Sequence, residues 1–441
     1  MAVLVEKQFT SWGRIEHPRH FIASPRFRNE LPRIVALRGE RSLLAVGLGR
    51  SYGDTILNTE GCLIETTGLD RVISFDREAG ILRAEAGLSI HDALRLLVPA
   101  GWFLTTTPGT RFVTLGGAVA NDVHGKNHHT AGSFGCSVRR LGLLRSDGSE
   151  VELARSDASN LFCSTIGGLG LTGIITWVEI DLVRIPSAYL DVERFVFDNI
   201  SSFFDLASRA QSFEHTVAWF DCANSGSKLG RGIFQGANWS RSGGLAPHTP
   251  RQKLTMPIDA PSWALNGLAV RSFNALYHQL QKRPPLKTTQ HYAAVFHPLD
   301  AIGGWNRLYG RRGFYQYQCV IPPSSAENAV TDLVRHIARA GTGSFLAVLK
   351  TFGSRASPGL LSFPREGATL ALDFPNRGPE TLDLLARLDE IVLEAGGRLY
   401  PAKDGRMSAR MFQAGYGSVL PAFQTCLDPA LSSQFWRRVS T

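Results

Sequence analysis

The stretch from Val119 to Gly135, VANDVHGKNHHTAGSFG, crowds His124, His128 and His129 into six residues. A zinc site draws on three or four ligands at compatible distances, and adjacent His128 and His129 cannot both aim their rings at one ion from an extended chain. Asp122 and Cys136, the nearest acid and thiol, stand at no metal-ligand spacing from them, so no metal site is expected and ordinary hydrogen-bonded histidines are the alternative. His124 differs, because it precedes Gly125 and follows the small-residue run GGAVAND, a pattern suited to backbone lying flat against a large ligand. Upstream, LLAVGLGRSYGD runs from an apolar strand at Leu43–Val46 into glycines that can bring backbone N–H groups close to an anion, which predicts a phosphate cradle. Gly168-Leu-Gly170-Leu-Thr-Gly173 matches Gly-x-Gly-x-x-Gly, but a dinucleotide-binding Rossmann unit needs a strand before that motif and a helix after it. Here LFCSTIG reads as a helix end and IITWVEIDL, Ile174–Leu182, as a strand. The reversed order excludes a nicotinamide-only dehydrogenase from the expectation.

A glycine-turned α+β framework must position these loops. Leu82–Ala86 alternates as a strand, and Ser89 with Asp92 makes a capping-box-like start to a helix burying Ile90, Ala93, Leu94 and Leu97. Arg145–Leu153 reads as a hairpin, with Asp147-Gly148 supplying the positive φ angles of a tight turn. In the second half, Ser324 and Glu327 predict a capping box for a helix from Ser325 to Ala340, stopped by Gly341 and followed by a strand in SFLAVLK. Leu370–Phe374 is strand-like, and Pro379 suits the first turn of a helix with Leu382, Leu385, Leu388 and Val392 on its buried face, ending at Gly396-Gly397. RLYPAKD begins as a short strand with Lys403 at its end. Such alternation predicts an antiparallel sheet covered by helices, set above a ligand held by the glycine-rich half.

The chain has 441 residues, 44% of them hydrophobic, enough for a large core and two domains. No run of about 18 uncharged apolar residues appears, and the opening MAVLVEKQFTSWGR lacks a secretory core and cleavage site, so a cytoplasmic protein is expected. Six scattered cysteines without a Cys-x-x-Cys pair predict reduced, mostly buried thiols. The net charge of +9 is concentrated between Cys222 and Leu299, where Asp259 is the only acid against Lys228, Arg231, Arg241, Arg251, Lys253, Arg271, Lys282, Arg283 and Lys287. Trp239, Trp263, Phe273, Tyr277 and Tyr292 lie in the same segment, and runs such as SRSGGLAPHTP and KRPP predict mobile basic loops around residues 228–290 that resist regular structure. Four partners remain open for it: bulk solvent, an anionic membrane surface, a phosphate-bearing substrate, or nucleic acid. The last is disfavoured, because charges elsewhere nearly balance and no nucleic-acid-binding motif appears.

The series GLGRSYGD, PGTRFVTLGGAVANDVHGKNHHTAGSFG, GLGLTGI, QYQ at Gln316–Gln318, LKTFG and GGRLYPAKD runs in order along most of the chain. It closely resembles the vanillyl-alcohol-oxidase/p-cresol-methylhydroxylase family of flavoproteins, and within it the branch that oxidises polyprenyl-phosphoryl-β-D-ribose. The resemblance implies an α+β, two-domain fold: an FAD-binding domain over residues 1–184, completed by 399–441, and a substrate-binding domain over 185–398. It implies that Gly47, Leu48, Gly49, Arg50, Ser51 and Tyr52 wrap the FAD pyrophosphate. Gly109, Thr110, Thr114, Gly116, Gly117, Asn121, His124 and Gly125 would line the flavin, joined by Gly170, Gly173, Ile175, Tyr400 and Lys403. Many relatives attach FAD through the histidine of a Gly-His-Ser loop; Arg50 takes that place in Gly49-Arg50-Ser51, so FAD is expected to bind without a covalent bond.

Oxidising a secondary alcohol requires a hydride acceptor, a proton acceptor and stabilisation of developing charge. The resemblance assigns catalysis to Lys403, Tyr52 and His124, although a lysine after a strand end is otherwise an ordinary surface residue. Lys126, Trp219, Gln316, Gln318 and Lys350 are the candidates for orienting sugar or phosphate, solvated charge being the alternative for both lysines. The implied reaction converts the 2′-hydroxyl of polyprenyl-phosphoryl-β-D-ribose to the 2-keto sugar. A separate NAD(P)H-dependent keto-reductase would complete epimerisation to the arabinose donor for cell-envelope polysaccharide, and oxygen or a quinone would accept the electrons. The basic loops then predict peripheral contact at the inner face of the membrane. Mycobacterial members carry a cysteine where this chain has Ala371, so thiol-directed inhibitors of the family should not bond here, and Thr369 replaces a polar amide. An oxidase of a soluble alditol or sugar lactone is the alternative enzyme, and a nucleic-acid-binding protein the alternative of another class.

Overall fold

The computed structural model describes residues 3–157, 160–249, 252, 254–261 and 265–440, so Arg251, Lys253 and Trp263 of the basic segment lie outside the described residues. The N-terminal half is built on two sheets. Val5–Gln8, Arg19–Ala23, Cys62–Glu65 and Leu43–Val46 form the first in that order, and its last two pairings are parallel. The second orders Val72–Asp76, Ile81–Glu85, Ile174–Arg184, Val138–Leu144 and Glu150–Ala154, all antiparallel, with Trp102–Leu104 paired to the far end of Ile174–Arg184. The helix Ile90–Leu97 forms as expected: the Ser89 side chain accepts from Asp92 N, and Ile90, Ala93, Leu94 and Leu97 are buried.

The second half is an eight-stranded sheet, in the order Lys287–His291, Tyr189–Phe197, Gly232–Trp239, His215–Phe220, Ala347–Phe352, Gly367–Pro375, Phe314–Ile321 and Arg398–Leu399. Its pairings are antiparallel throughout. The helices Ile200–Arg209, Ala326–Ala340 and Pro379–Glu394 share one large apolar core with this sheet. After Arg398–Leu399 the chain returns to the first half: Leu43 N donates to Ala430 O at 2.7 Å, and Arg438 pairs with Asp54 at 2.6 Å.

Several local expectations are corrected. Gly148 has φ 85°, but Asp147 has no positive φ; Arg145 N instead bonds Ser149 O, closing a longer turn. The Ala326–Ala340 helix has Ser325 as N-cap and no side-chain cap, because Ser325 Oγ donates to Ala395 O at 2.7 Å. On Pro379–Glu394, Leu384 joins Leu385, Leu388 and Val392 in the core while Leu382 is 38% exposed. Lys403 falls in a 3₁₀ turn, Pro401–Lys403, rather than at a strand end. The basic segment carries much regular structure, including the 15-residue helix Gly267–Gln281, whose N-terminus is capped by the Asn266 side chain accepting from Ala269 N. Its Gly and Pro runs lie outside that helix, which is why they do not break it.

Candidate active site

One deep cavity lies between the glycine-rich loops and the large sheet. Its first wall is the loop after Leu43–Val46. Gly49 takes φ 64°, a left-handed turn that favours glycine, and swings the loop back toward the core. A Cβ on Gly53 would overlap the carbonyl of Asp404, so only glycine allows the loop to reach the C-terminal segment, where Tyr52 N donates to Ala402 O at 3.0 Å. That contact sets the Lys403 ammonium 3.9 Å from the centre of the Tyr52 ring. Among the described residues, no protein acceptor takes the backbone N–H of Leu48, Gly49, Arg50 or Ser51. Unpaired amides on a glycine loop at a cavity wall are the donor set that a pyrophosphate satisfies.

The second wall is the segment around the Leu115–Ala120 helix, where Thr114 Oγ1 accepts from Gly117 N at 3.1 Å. Asp300 clamps the preceding turn: Thr110 Oγ1 donates to one carboxylate oxygen at 2.6 Å and Arg111 N to the other at 2.8 Å, with the Arg111 guanidinium at 3.6 Å. Arg50 stacks over Trp12 at 4.0 Å, at the same cavity surface. These small, amide-rich walls fit FAD.

The polar end of the cavity comes from the large sheet. Register places Gln316 opposite Asp373 and Gln318 opposite Ala371. Gln316 Nε2 donates to Asp373 Oδ1 at 2.6 Å and Tyr309 OH to Oδ2 at 3.3 Å. Gln318 Nε2 lies 3.0 Å from His124 Nε2 and 3.2 Å from Thr369 Oγ1. With the Gln318 amide donating, His124 carries its proton on Nδ1, which has no protein partner. Burial, then the Lys350 charge, holds the His124 pKa well below its ordinary value, so the ring is neutral. Tyr400 OH donates to Asn121 O at 2.8 Å and its ring stacks on Phe363 at 4.5 Å.

Burial without a contacting carboxylate lowers the Lys403 pKa to about 8, with Asp373 acting the other way. Lys350 drops to about 7, by burial first and then by repulsion from Lys126 and Lys403. Asp373 rises to about 7, again through burial. Tyr52 is pushed well above its ordinary value by burial and by Asp373, and so remains a hydrogen-bond donor.

Of the residues expected at the site, all line this cavity except Gly49, Gly125, Lys126 and Trp219. Gly49 shapes the first loop, and Gly125 O accepts from Lys350 Nζ at 3.3 Å from behind the wall. Lys126 points away: its ammonium bonds Val295 O, and it lines a separate small cavity with His215 and Glu214. Trp219 donates from Nε1 to Phe345 O at 3.1 Å and packs on Tyr277, so neither residue touches the cavity proper. The neighbouring histidines diverge. His129 Nε2 lies 2.9 Å from Phe213 O, as an ordinary hydrogen-bonded histidine would, whereas both ring nitrogens of His128 lack partners among the described residues and its ring packs on Phe352 at 4.3 Å. Asp373, Tyr309 and Asp300 were missed. Asp373 was readable, since in TLALDFP it shares a strand face with Thr369 and Ala371; Asp300 and Tyr309 carry no comparable signal.

A family profile described as an FAD binding domain matches residues 20–154. A decaprenylphosphoryl-β-D-ribose oxidase from Mycolicibacterium smegmatis is 36% identical over 425 residues, covering 93% of this chain and 91% of that protein. An uncharacterized protein of Streptomyces coelicolor is 32% identical over 348 residues, covering 75% of this chain and 92% of its own. An L-gulonolactone oxidase of Mus musculus is 26% identical over 205 residues, 44% of this chain and 46% of that protein.

Proposed function

Because the chain belongs to the decaprenylphosphoryl-β-D-ribose oxidase family, we propose that it oxidises the 2′-hydroxyl of a polyprenyl-phosphoryl-β-D-ribose to the 2-keto sugar. The protein is an FAD-dependent oxidoreductase with an α+β fold of the vanillyl-alcohol-oxidase/p-cresol-methylhydroxylase type. The observation that carries the substrate assignment is the facing of two walls: unpaired loop amides suited to a pyrophosphate, and a polar end where Lys403, Tyr52, Gln316, Gln318 and Lys350 converge.

Bound FAD supplies the hydride acceptor. Neutral Lys403 takes the hydroxyl proton as the O–H electron pair becomes the second carbon–oxygen bond. Tyr52, fixed as a donor, packs against Lys403 and orients the sugar. Gln318 and His124 act as a unit, the amide fixing the neutral ring in the cavity wall. Gln316, held by Asp373, stands on the same strand face two residues before Gln318 and offers its carboxamide beside it. Lys350 supplies the positive charge for the phosphodiester, whose approach favours its protonated form. Arg50, stacked on Trp12, supports non-covalent retention of FAD, because the residue that relatives use for attachment is replaced by a group that forms no such bond.

A separate NAD(P)H-dependent keto-reductase would consume the 2-keto product to give the arabinose donor, and oxygen or a quinone would take up the electrons. The substrate's lipid tail would bring the protein to the inner face of a membrane as a peripheral partner; among the described residues no helix is long and apolar enough to cross one. Anaerobic titration tests the assignment. Short-chain polyprenyl-phosphoryl-ribose should bleach the oxidised flavin absorbance and yield a product lighter by two hydrogens. Bleaching by an alditol or a sugar lactone, with none by the lipid-linked ribose, would overturn it.

A further inference from the structure

The Gly267–Gln281 helix buries Val270, Asn274 and His278 on one face. An exposed face flanking it carries Ala269, Phe273, Leu276 and Leu280, spaced to form one continuous stripe along the helix. Phe273 is 46%, Leu276 60% and Leu280 48% exposed, and Leu268 beside them is 75% exposed. Three adjacent turns of exposed large apolar side chains are unfavourable in water and mark a contact surface.

Charge identifies the partner. Lys282 and Arg283 follow the stripe at the C-terminal end of the helix and Arg271 stands on the other exposed flank; all three are exposed, and among the described residues none has a carboxylate within ion-pair distance. The nearby charges are neutralised instead: Lys287 pairs with Glu193 at 2.9 Å, and Asp259 is taken by Arg14 at 2.6 Å and Arg307 at 3.7 Å. An apolar ridge bordered by uncompensated cations complements an anionic lipid surface, which offers acyl chains beneath negative headgroups. A two-fold contact with a second copy would instead bring the uncompensated cations of the two helices to one interface.

The stripe is also joined to the active site. Phe273 meets Phe345 at 5.7 Å, Phe345 meets Tyr309 at 5.7 Å, Tyr309 stacks on Phe314 at 4.1 Å, and Phe314 abuts Tyr52 at 5.5 Å. Leu265, Leu308 and Leu346 pack along this ladder, so a chain of buried apolar contacts runs through the interior from the helix to Tyr52, which packs against Lys403.

We propose that this face of the Gly267–Gln281 helix docks on an anionic bilayer, with Phe273, Leu276 and Leu280 entering the interface and Arg271, Lys282 and Arg283 meeting headgroups. Docking there would bring the protein to the apolar phase that holds the tail of a lipid-linked sugar. The benefit to catalysis rests on the lipid-linked substrate proposed above; the docking surface does not.

Flotation of the FAD-loaded protein with vesicles of phosphatidylglycerol and phosphatidylcholine, against phosphatidylcholine alone, tests the docking. The wild type should float with the anionic vesicles and release in high salt. A Leu276→Gln/Leu280→Gln variant and an Arg271→Glu/Lys282→Glu/Arg283→Glu variant should each lose at least tenfold in partitioning. Flavin content, melting temperature and turnover of a short-chain soluble substrate should stay at wild-type values, while turnover of vesicle-embedded long-chain substrate falls with binding. A wild type that ignores anionic vesicles, or variants that float like it, would overturn the docking surface. So would a wild-type dimer that the Leu276→Gln/Leu280→Gln variant dissociates without any change in flotation. Normal flotation with no turnover of either ribose substrate would overturn the substrate assignment and leave the surface standing.

Discussion

Replacing Lys403 with methionine separates its charge and proton-accepting role from its bulk. The methionine side chain retains the packing against Tyr52, where the ammonium lies 3.9 Å from the ring centre. Loss of a positioned proton acceptor costs about 10²–10⁴ in rate, or roughly 3–5 kcal/mol of barrier. The pH dependence follows from the Lys403 pKa of about 8. Burial lowers that pKa, so the neutral, proton-accepting form is scarce below it and dominant above it. The rate of flavin reduction should therefore rise about tenfold from pH 7 to an alkaline plateau. The assay is anaerobic stopped-flow bleaching of bound flavin by saturating substrate, across about pH 6 to about pH 10. Lys403→Met should retain FAD, lose the rate and lose the limb centred near 8. A variant reduced within threefold of the wild type would refute the assignment. A wild-type profile that falls through the same range would show that the ammonium, rather than the amine, is the working form.

Asp373→Asn keeps the shape that Gln316 and Tyr309 contact and removes the charge that raises the Lys403 pKa. The limb of the pH–rate profile should move to lower pH by about half a unit to one unit, and an unchanged midpoint would show that the two groups are not coupled. Gly53→Ala drives a methyl group into the Asp404 carbonyl, so the Tyr52 loop must shift. FAD occupancy after gel filtration should drop and the melting temperature should fall by several degrees, the cost being about 2 kcal/mol or more; normal occupancy and melting would show the loop to be compliant. Ala371 lines the cavity and none of the six free cysteines does. Ala371→Cys should create a thiol whose alkylation stops turnover and is slowed by substrate, whereas labelling of the wild type should leave the flavin reducible.

The glycine loops, the strand at Leu43–Val46 and the Ser89-capped helix are local, so their residue types and spacing determined them. So did the order of elements around Gly168–Gly173, which is a short-range property of the chain. The glycine-rich loops of the cavity wall were legible as loops, because backbone that meets backbone or ligand needs glycine, whereas Lys403 was marked out only by the family resemblance. Other features were decided only when distant segments met. Leu382 has the right helical spacing for burial, yet the way the Pro379–Glu394 helix packs into the shared core leaves it exposed and takes Leu384 instead. Lys126 belongs to the same motif as His124, but two steps along a turning backbone direct its ammonium to Val295, away from the cavity. Asp373 and Asp300 act through partners far away in sequence: Tyr309 and Gln316 for one, Thr110 and Arg111 for the other. The lowered pKa values of Lys350 and Lys403 likewise require burial, which no spacing encodes. Spacing along a chain specifies direction over a few residues; burial and long-range pairing depend on how the sheets and their covering helices close around the cavity.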